Sequence, residues 1–432
     1  MQAAGYSPAC LDLAVEAFDP ARIARARLVV ISAPMHTALR LGLALLPRLA
    51  AVNPRAPVVF QGLYAQLQRD LLFSRGASAV TAGECEETIV ALARALESGR
   101  ELASVAGLSL PGRPAAPLLA KLRFPVADRR GLPPLSVYAK LDPGDGKLVP
   151  AAYAEASRGC KYRCRHCPIP PIYGGRFFVV PRASVLEDVE AQVASGARHV
   201  TFGDPDFWNG PGHTEAIVRE LHRRHPDVTY DATIKIEHLL RHRARIPMLV
   251  ATGCAFVTTA VESLDDAVLA RLDKGHTRAG VEEAFDLCEE AGLPLRPTFV
   301  AFTPWTTAEG FGDILRFVER RGLAARVDPV QYALRLLVPP GSALLTGALP
   351  GLRPPREEGL SYEWIHPDAR IDALQQRLWA LAKEARRDGR GRADTFARIR
   401  DLTSETLGLS LARRPVPRRR GHVPSLTESW FC

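Results

Sequence analysis

With 432 residues, 47% of them hydrophobic and 24% charged, the chain has the make-up of a globular protein with two or three domains. Its longest early apolar stretch, LRLGLALLPRLAAV, is broken by Arg40 and Arg48, which excludes a membrane span and any expected membrane partner. The net charge of +9 is concentrated in ARRPVPRRRGH, five arginines and no acid, which reads as a solvated tail rather than a nucleic-acid-binding patch.

In chain order, the opening residues MQAAGYSPACLDLAVEAFDP carry acids and no apolar run, so no signal peptide is read and the cytoplasm is the expected compartment. Residues 1–108 alternate apolar runs (ARLVVISAP, APVVFQGLY) with helical patterns (HTALRLGLALLPRLAAV, ETIVALARALES), which predicts a small doubly wound, Rossmann-like α/β domain. Residues 109–146 are dense in Pro and Gly and read as a linker. From 147 to 342 the strand–helix rhythm is sustained. LVPAAYAEAS, HVTFGD, TYDATIKIE, AFVTTAVES, LRPTFVAF and PVQYALRLLV read as six strands, hence a partial (β/α)6 TIM-like barrel. Capping-box pairs are read at Ser184/Glu187 and Thr306/Glu309. Residues 343–412 read as a helical extension, with RIDALQQRLWALAKEARRDG its clearest stretch, and 413–432 as a basic flexible tail.

The segment RGCKYRCRHCPIPPIYGGR places Cys160, Cys164 and Cys167 in a C-x3-C-x2-C spacing. Thiolates are soft ligands for zinc or an iron–sulfur cluster. A structural zinc site wants four ligands, and the remaining cysteines (10, 85, 254, 288 and 432) are scattered singly. His166 is a strained fourth ligand beside Cys167. Three thiolates therefore suggest a [4Fe–4S] cluster with one iron open to a ligand. The triad follows the first barrel strand, at the carboxyl end where parallel barrels build active sites. The alternative left standing is a non-enzymatic, zinc-stabilised nucleic-acid-binding protein.

This spacing after the first strand of a partial barrel resembles the signature of radical S-adenosylmethionine (SAM) enzymes. The resemblance implies that Cys160, Cys164 and Cys167 hold a [4Fe–4S] cluster and that SAM chelates the open iron. It also implies an electron donor such as flavodoxin or ferredoxin, and a substrate expected to be a small molecule. His166 stands where the family commonly has an aromatic residue near the adenine. By the same resemblance Gly203, Asp204 and Asp206 in HVTFGDPDFW, Lys235 in TIKIEHLL and Glu262 in AVESLDD would contact SAM. Which residues act on the substrate is not implied.

The first domain resembles the cobalamin-binding domain that precedes many radical SAM cores, with GECEE (83–87) as its closing segment. The Asp-x-His-x-x-Gly cobalt-ligand motif is absent and His36 is a lone histidine, so bound cobalamin is left open. The ending SLTESWFC resembles a radical SAM group that continues with Cys-Cys-Ala-Glu-Pro, or with selenocysteine in the second position. That implies a tail thiol at Cys432, and a selenocysteine codon read as a stop is one hypothesis for the ending. Cobalamin-dependent methyl transfer and transfer of SAM's aminocarboxypropyl group to a soft atom remain alternatives. Methylthiolation is disfavoured, because only Cys10 and Cys85 precede the triad.

Overall fold

The computed structural model describes residues 1–356, 359–411 and 423–428. Strands β1 (Val29–Ser32), β2 (Val58–Gln61) and β3 (Ala79–Thr81) pair in parallel, and β4 (Leu108–Ser109) adds antiparallel to β3. Side chains alternate across the sheet because successive strand residues point to opposite faces. Phe60 and Val80 meet Leu39, Leu46 and Leu49 of helix His36–Val52 on one face. Val59 and Ala79 meet Leu92 and Ala95 of helix Glu86–Ser98 on the other. Both faces are thus covered, and the order β1-β2-β3-β4 runs without reversal.

The second sheet is the half-barrel. Its parallel strands are β6 (Val149–Ala154), β9 (His199–Phe202), β10 (Thr229–Thr233), β11 (Cys254–Glu262) and β12 (Leu295–Phe299). A small ribbon of β7 (Ser157–Gly159) and β8 (Phe177–Val179) leaves its top, and β13 (Leu352–Arg353) pairs with β14 (Glu363–Trp364) nearby. Phe202, Tyr230, Val257 and Leu295 belong to one continuous core with Ile217, Val281, Phe311 and Phe317 of the outer helices.

Several expectations are corrected. PVQYALRLLV is not a sixth strand: Asp328 accepts from Val330 N and Pro329 starts a 3-10 helix, Pro329–Ala333, leaving only a bridge between Phe302 and Arg335. The capping box at Ser184 is absent. Helix Arg182–Ala194 begins after Pro181, and Ser184 Oγ donates to Phe124 O at 3.1 Å. The other cap lies one residue later, with Thr307 accepting from Gly310 N at 2.9 Å. Helices occupy Ala369–Arg387 and Arg392–Leu407, but residues 347–356 and 359–368 are not helical.

Two segments expected outside the barrel join its sheet. β5 (Lys140–Asp142), in the Pro/Gly-rich linker, pairs antiparallel with β6. β15 (Ser425–Leu426), in the expected tail, pairs with β5. Arg296 of β12, at the opposite edge, donates to Pro424 O at 3.0 Å. The described tail residues therefore bridge the open side of the half-barrel.

Candidate active site

The loop between β7 and β8 carries the three cysteines. Gly159, the last residue of β7, has φ +77. An added Cβ would lie 2.6 Å from both Arg176 O and Tyr173 Cδ1, so the turn into Cys160 admits only glycine. Gly159→Ala should cost at least about 2 kcal/mol, since a left-handed φ alone costs about 1–3. Urea unfolding of the iron-free protein checks this.

Cys160 and Cys164 are buried and Cys167 is partly covered. Asn209, just after β9, holds the loop start: it accepts from Lys161 N at 3.2 Å, donates to Gly159 O at 3.3 Å and stands 3.6 Å from Cys160 Sγ. Burial pushes the Cys167 thiol up to about 12 and raises Cys160 as well. Iron uptake must therefore expel these protons. Among the described residues, no three His, Cys, Asp or Glu side chains stand close enough to share a single metal ion, and His166 Nε2 faces Glu262 Oε1 at 3.3 Å.

Around this loop the carboxyl ends of the strands deliver charged groups. Glu262 ends β11 with φ +63, at a register shift against β12. Its Oε1 takes Lys274 Nζ at 3.1 Å as well as His166. Burial alone would raise the Glu262 carboxyl, but the Lys274 ammonium and His166 outweigh it and hold the group well below the usual carboxylate range. Lys274 is itself raised, because Glu262 outweighs the cost of its burial. Lys235, just after β10, stands 3.8 Å from Cys164 Sγ, 3.4 Å from Glu237 Oε2 and 3.4 Å from the Tyr162 ring centre.

The three β9-end residues each have a structural partner. A Cβ on Gly203 would lie 2.0 Å from Tyr153 Oη, so this glycine makes room for a tyrosine ring. Asp204 accepts from Ala156 N at 2.9 Å and Ser157 Oγ at 2.6 Å, fixing the step from β6 to β7. Asp206 caps Trp208 N at 3.1 Å and takes His238 Nδ1 at 3.0 Å. Asp204 uses both oxygens on protein partners, whereas Asp206 Oδ2 has no hydrogen-bond partner among the described residues. Cys432 lies outside the described residues.

Burial pushes Asp204 up to about 7. A carboxyl raised in the folded state stabilises the protein where it is protonated there and ionised in the unfolded chain. That stability is complete below about pH 4 and lost as pH rises through about 7. The iron-free protein should gain up to about 4 kcal/mol from this group between pH 7 and 4. Asp204→Asn should flatten that part of the stability–pH curve, as thermal melts across the range would show.

The site fits a [4Fe–4S] cluster and SAM. The three cysteines share one loop, and two buried ammonium groups, Lys235 and Lys274, stand ready to offset an anionic cluster. Two buried ring nitrogens beside Glu262, His166 Nδ1 and His276 Nδ1, have no hydrogen-bond partner among the described residues, as befits a place that a polar ligand completes. Lys274, Asn209 and His276 were not singled out from sequence. The only signal was the Lys-Gly-x-Thr turn, with Lys274 as its first residue.

In the first domain the loops at the carboxyl ends of β2 and β3 are tightly packed. The Cβ positions of Gly62 and Gly83 are filled by Ala33 O at 2.8 Å and Leu118 O at 2.2 Å. Residues 115–119 lie across the strand ends, with Leu118 bonded to Ala82 O and Glu84 N and Ala115 O to Gln66. Leu63, Leu67, Ala82 and Leu119 then pack on Ile169, Ile172 and Tyr173 of the cysteine loop.

Comparison with known proteins agrees with the fold. Residues 155–318 match the radical SAM superfamily. The chain is 25% identical over 252 residues to an uncharacterized methyltransferase of Pyrococcus horikoshii, covering 56% of this chain and 52% of that protein. It thus spans about half the length of that curated relative. The radical SAM methyltransferase TsrM of Kitasatospora setae, solved with its tryptophan substrate and a SAM analogue, superimposes with a TM-score of 0.66 at 19% identity, covering 89% of this chain and 85% of that one. The cobalamin-dependent SAM radical enzyme OxsB, solved with aqua-cobalamin and SAM, gives 0.61 at 14% identity, covering 83% and 58%. Residues 155–318 of this chain, which include the three-cysteine loop and most of the half-barrel, therefore form a radical SAM domain.

Proposed function

We propose that the protein cleaves SAM reductively and uses the resulting radical to modify a small molecule. The observation that carries this reading is the grouping of Cys160, Cys164 and Cys167 with the buried Glu262–Lys274 pair and two unpartnered imidazole nitrogens at the mouth of the barrel. A bound [4Fe–4S] cluster supplies one low-potential electron and an open iron position. The chain's own residues do the rest. Lys274 keeps Glu262 ionised as an acceptor for ligand hydroxyl or ammonium donors. Lys235 offers an ammonium group beside Cys164, where an anionic ligand or sulfur gains from it. His166 Nδ1 and His276 Nδ1 are left to bond polar ligand edges.

Glu262, Lys274 and Lys235 are each no more than 8% exposed, and so enclosed a group of charges suits a small substrate better than a polymer. Flavodoxin or ferredoxin fits as electron donor. The cytoplasm fits as compartment, and no described helix is long and apolar enough to cross a membrane.

The test is a single-turnover assay with anaerobically reconstituted, reduced protein. The reading predicts 5′-deoxyadenosine. S-adenosylhomocysteine alone would favour methyl transfer and methylthioadenosine alone the aminocarboxypropyl route, while intact SAM would contradict SAM cleavage altogether.

A further inference from the structure

We propose that the amino-terminal domain serves as a clamp on the cysteine loop, with Glu84 as the positioning residue that ties both stems of that loop. Glu84 belongs to GECEE in the first domain and is fully buried. Its Oε2 accepts from Arg158 Nη1 at 3.2 Å, and its Oε1 accepts from Tyr173 Oη at 3.0 Å. Arg158 lies two residues before Cys160, and Tyr173 six residues after Cys167. One carboxylate therefore spans the base of the loop from outside the barrel.

The surroundings make the tie specific. Arg158 also donates to Glu155 Oε2 at 2.9 Å and pairs with Glu86, and its guanidinium lies 5.0 Å from the Phe124 ring centre. The Glu84 backbone is fixed by its N–H to Leu118 O at 2.7 Å. The Tyr173 ring fills the space that a Cβ on Gly159 would need, so the hydroxyl that binds Glu84 sets the turn into Cys160. Leu63, Leu67 and Leu119 close the contact over Ile169 and Ile172. A loop carrying three ligands must be held near its bound geometry before iron arrives. Removing Glu84 would leave Arg158 to the half-buried Glu86 and Glu155, and Tyr173 without its acceptor.

The clamp rests on the proposed role of the cysteines only for its purpose, and its test does not need iron. Metal-free protein would be pulse-labelled with iodoacetamide and each cysteine followed by mass spectrometry. In Glu84→Ala, labelling of Cys160, Cys164 and Cys167 should accelerate about tenfold or more, with a smaller rise in Tyr173→Phe. Cys254 and Cys288, buried in the barrel, should label as slowly as in the unaltered protein. Unchanged labelling of the three loop thiols would overturn the clamp. So would an equal rise at all five, which marks general unfolding. Failure of the unaltered protein to hold iron would instead count against the cluster reading and leave this measurement standing.

Discussion

Replacing Cys160, Cys164 and Cys167 together by alanine is expected to give a folded, colourless protein that retains no cluster iron after anaerobic reconstitution and leaves SAM intact. Unaltered protein should hold about four iron and four sulfide per chain. The fold should persist because the loop is held by other contacts. β7 and β8 pair across its base, Arg165 N bonds Leu272 O at 2.9 Å, and Ser342 Oγ bonds Arg165 O at 3.1 Å. Any single replacement should already remove most of the iron, since the thiolates are separate corners of one ligand set. Iron and sulfide analysis beside a circular dichroism spectrum checks both halves of the expectation.

The second large effect is expected at the Glu262–Lys274 pair. Both side chains are at least nine-tenths buried. Lys274→Met leaves an ionised carboxylate with only His166 against it, and breaking such a pair costs about 3–5 kcal/mol. The melting midpoint should fall by on the order of 10 °C. Removing both charges, as in Glu262→Met with Lys274→Met, takes away the stranded charge and should recover most of that loss. SAM cleavage should remain absent in the double variant, because the acceptor at the mouth has gone. Stability and activity would then separate, which marks the pair as retained for the ligand. Equal stability of the single variant and the unaltered protein would contradict a buried, ionised Glu262.

The elements legible in the sequence are those specified locally. HTALRLGLALLPRLAAV carries its own helical periodicity, and helix His36–Val52 coincides with it. The cysteine spacing is equally local, and the loop lies where a segment after the first barrel strand must lie. What escaped depends on distant partners. Ser425 and Leu426 form a strand only because Asp142 and Leu141 offer an edge, and two residues carry no pattern to read. PVQYALRLLV has the apolar content of a strand, but Asp328 and Pro329 open a 3-10 turn that local chemistry favours.

The same distinction runs through the site. Glu262 stood out as a strand-end acid, while its partner Lys274 lies beyond a helix and is brought back by a left-handed turn at Asp273. Asp204 and Asp206 look free in a sequence because their partners, Ser157 and His238, lie 47 and 32 residues away. Glu84 is the extreme case: its purpose is visible only once two domains meet.

The central idea, that three thiolates anchor iron while one coordination place is reserved for SAM, is tested most directly by electron paramagnetic resonance. Dithionite-reduced, anaerobically reconstituted protein should show a [4Fe–4S] signal whose g-values move when SAM is added. A signal indifferent to SAM, or a preparation holding one zinc and no iron, would contradict the account.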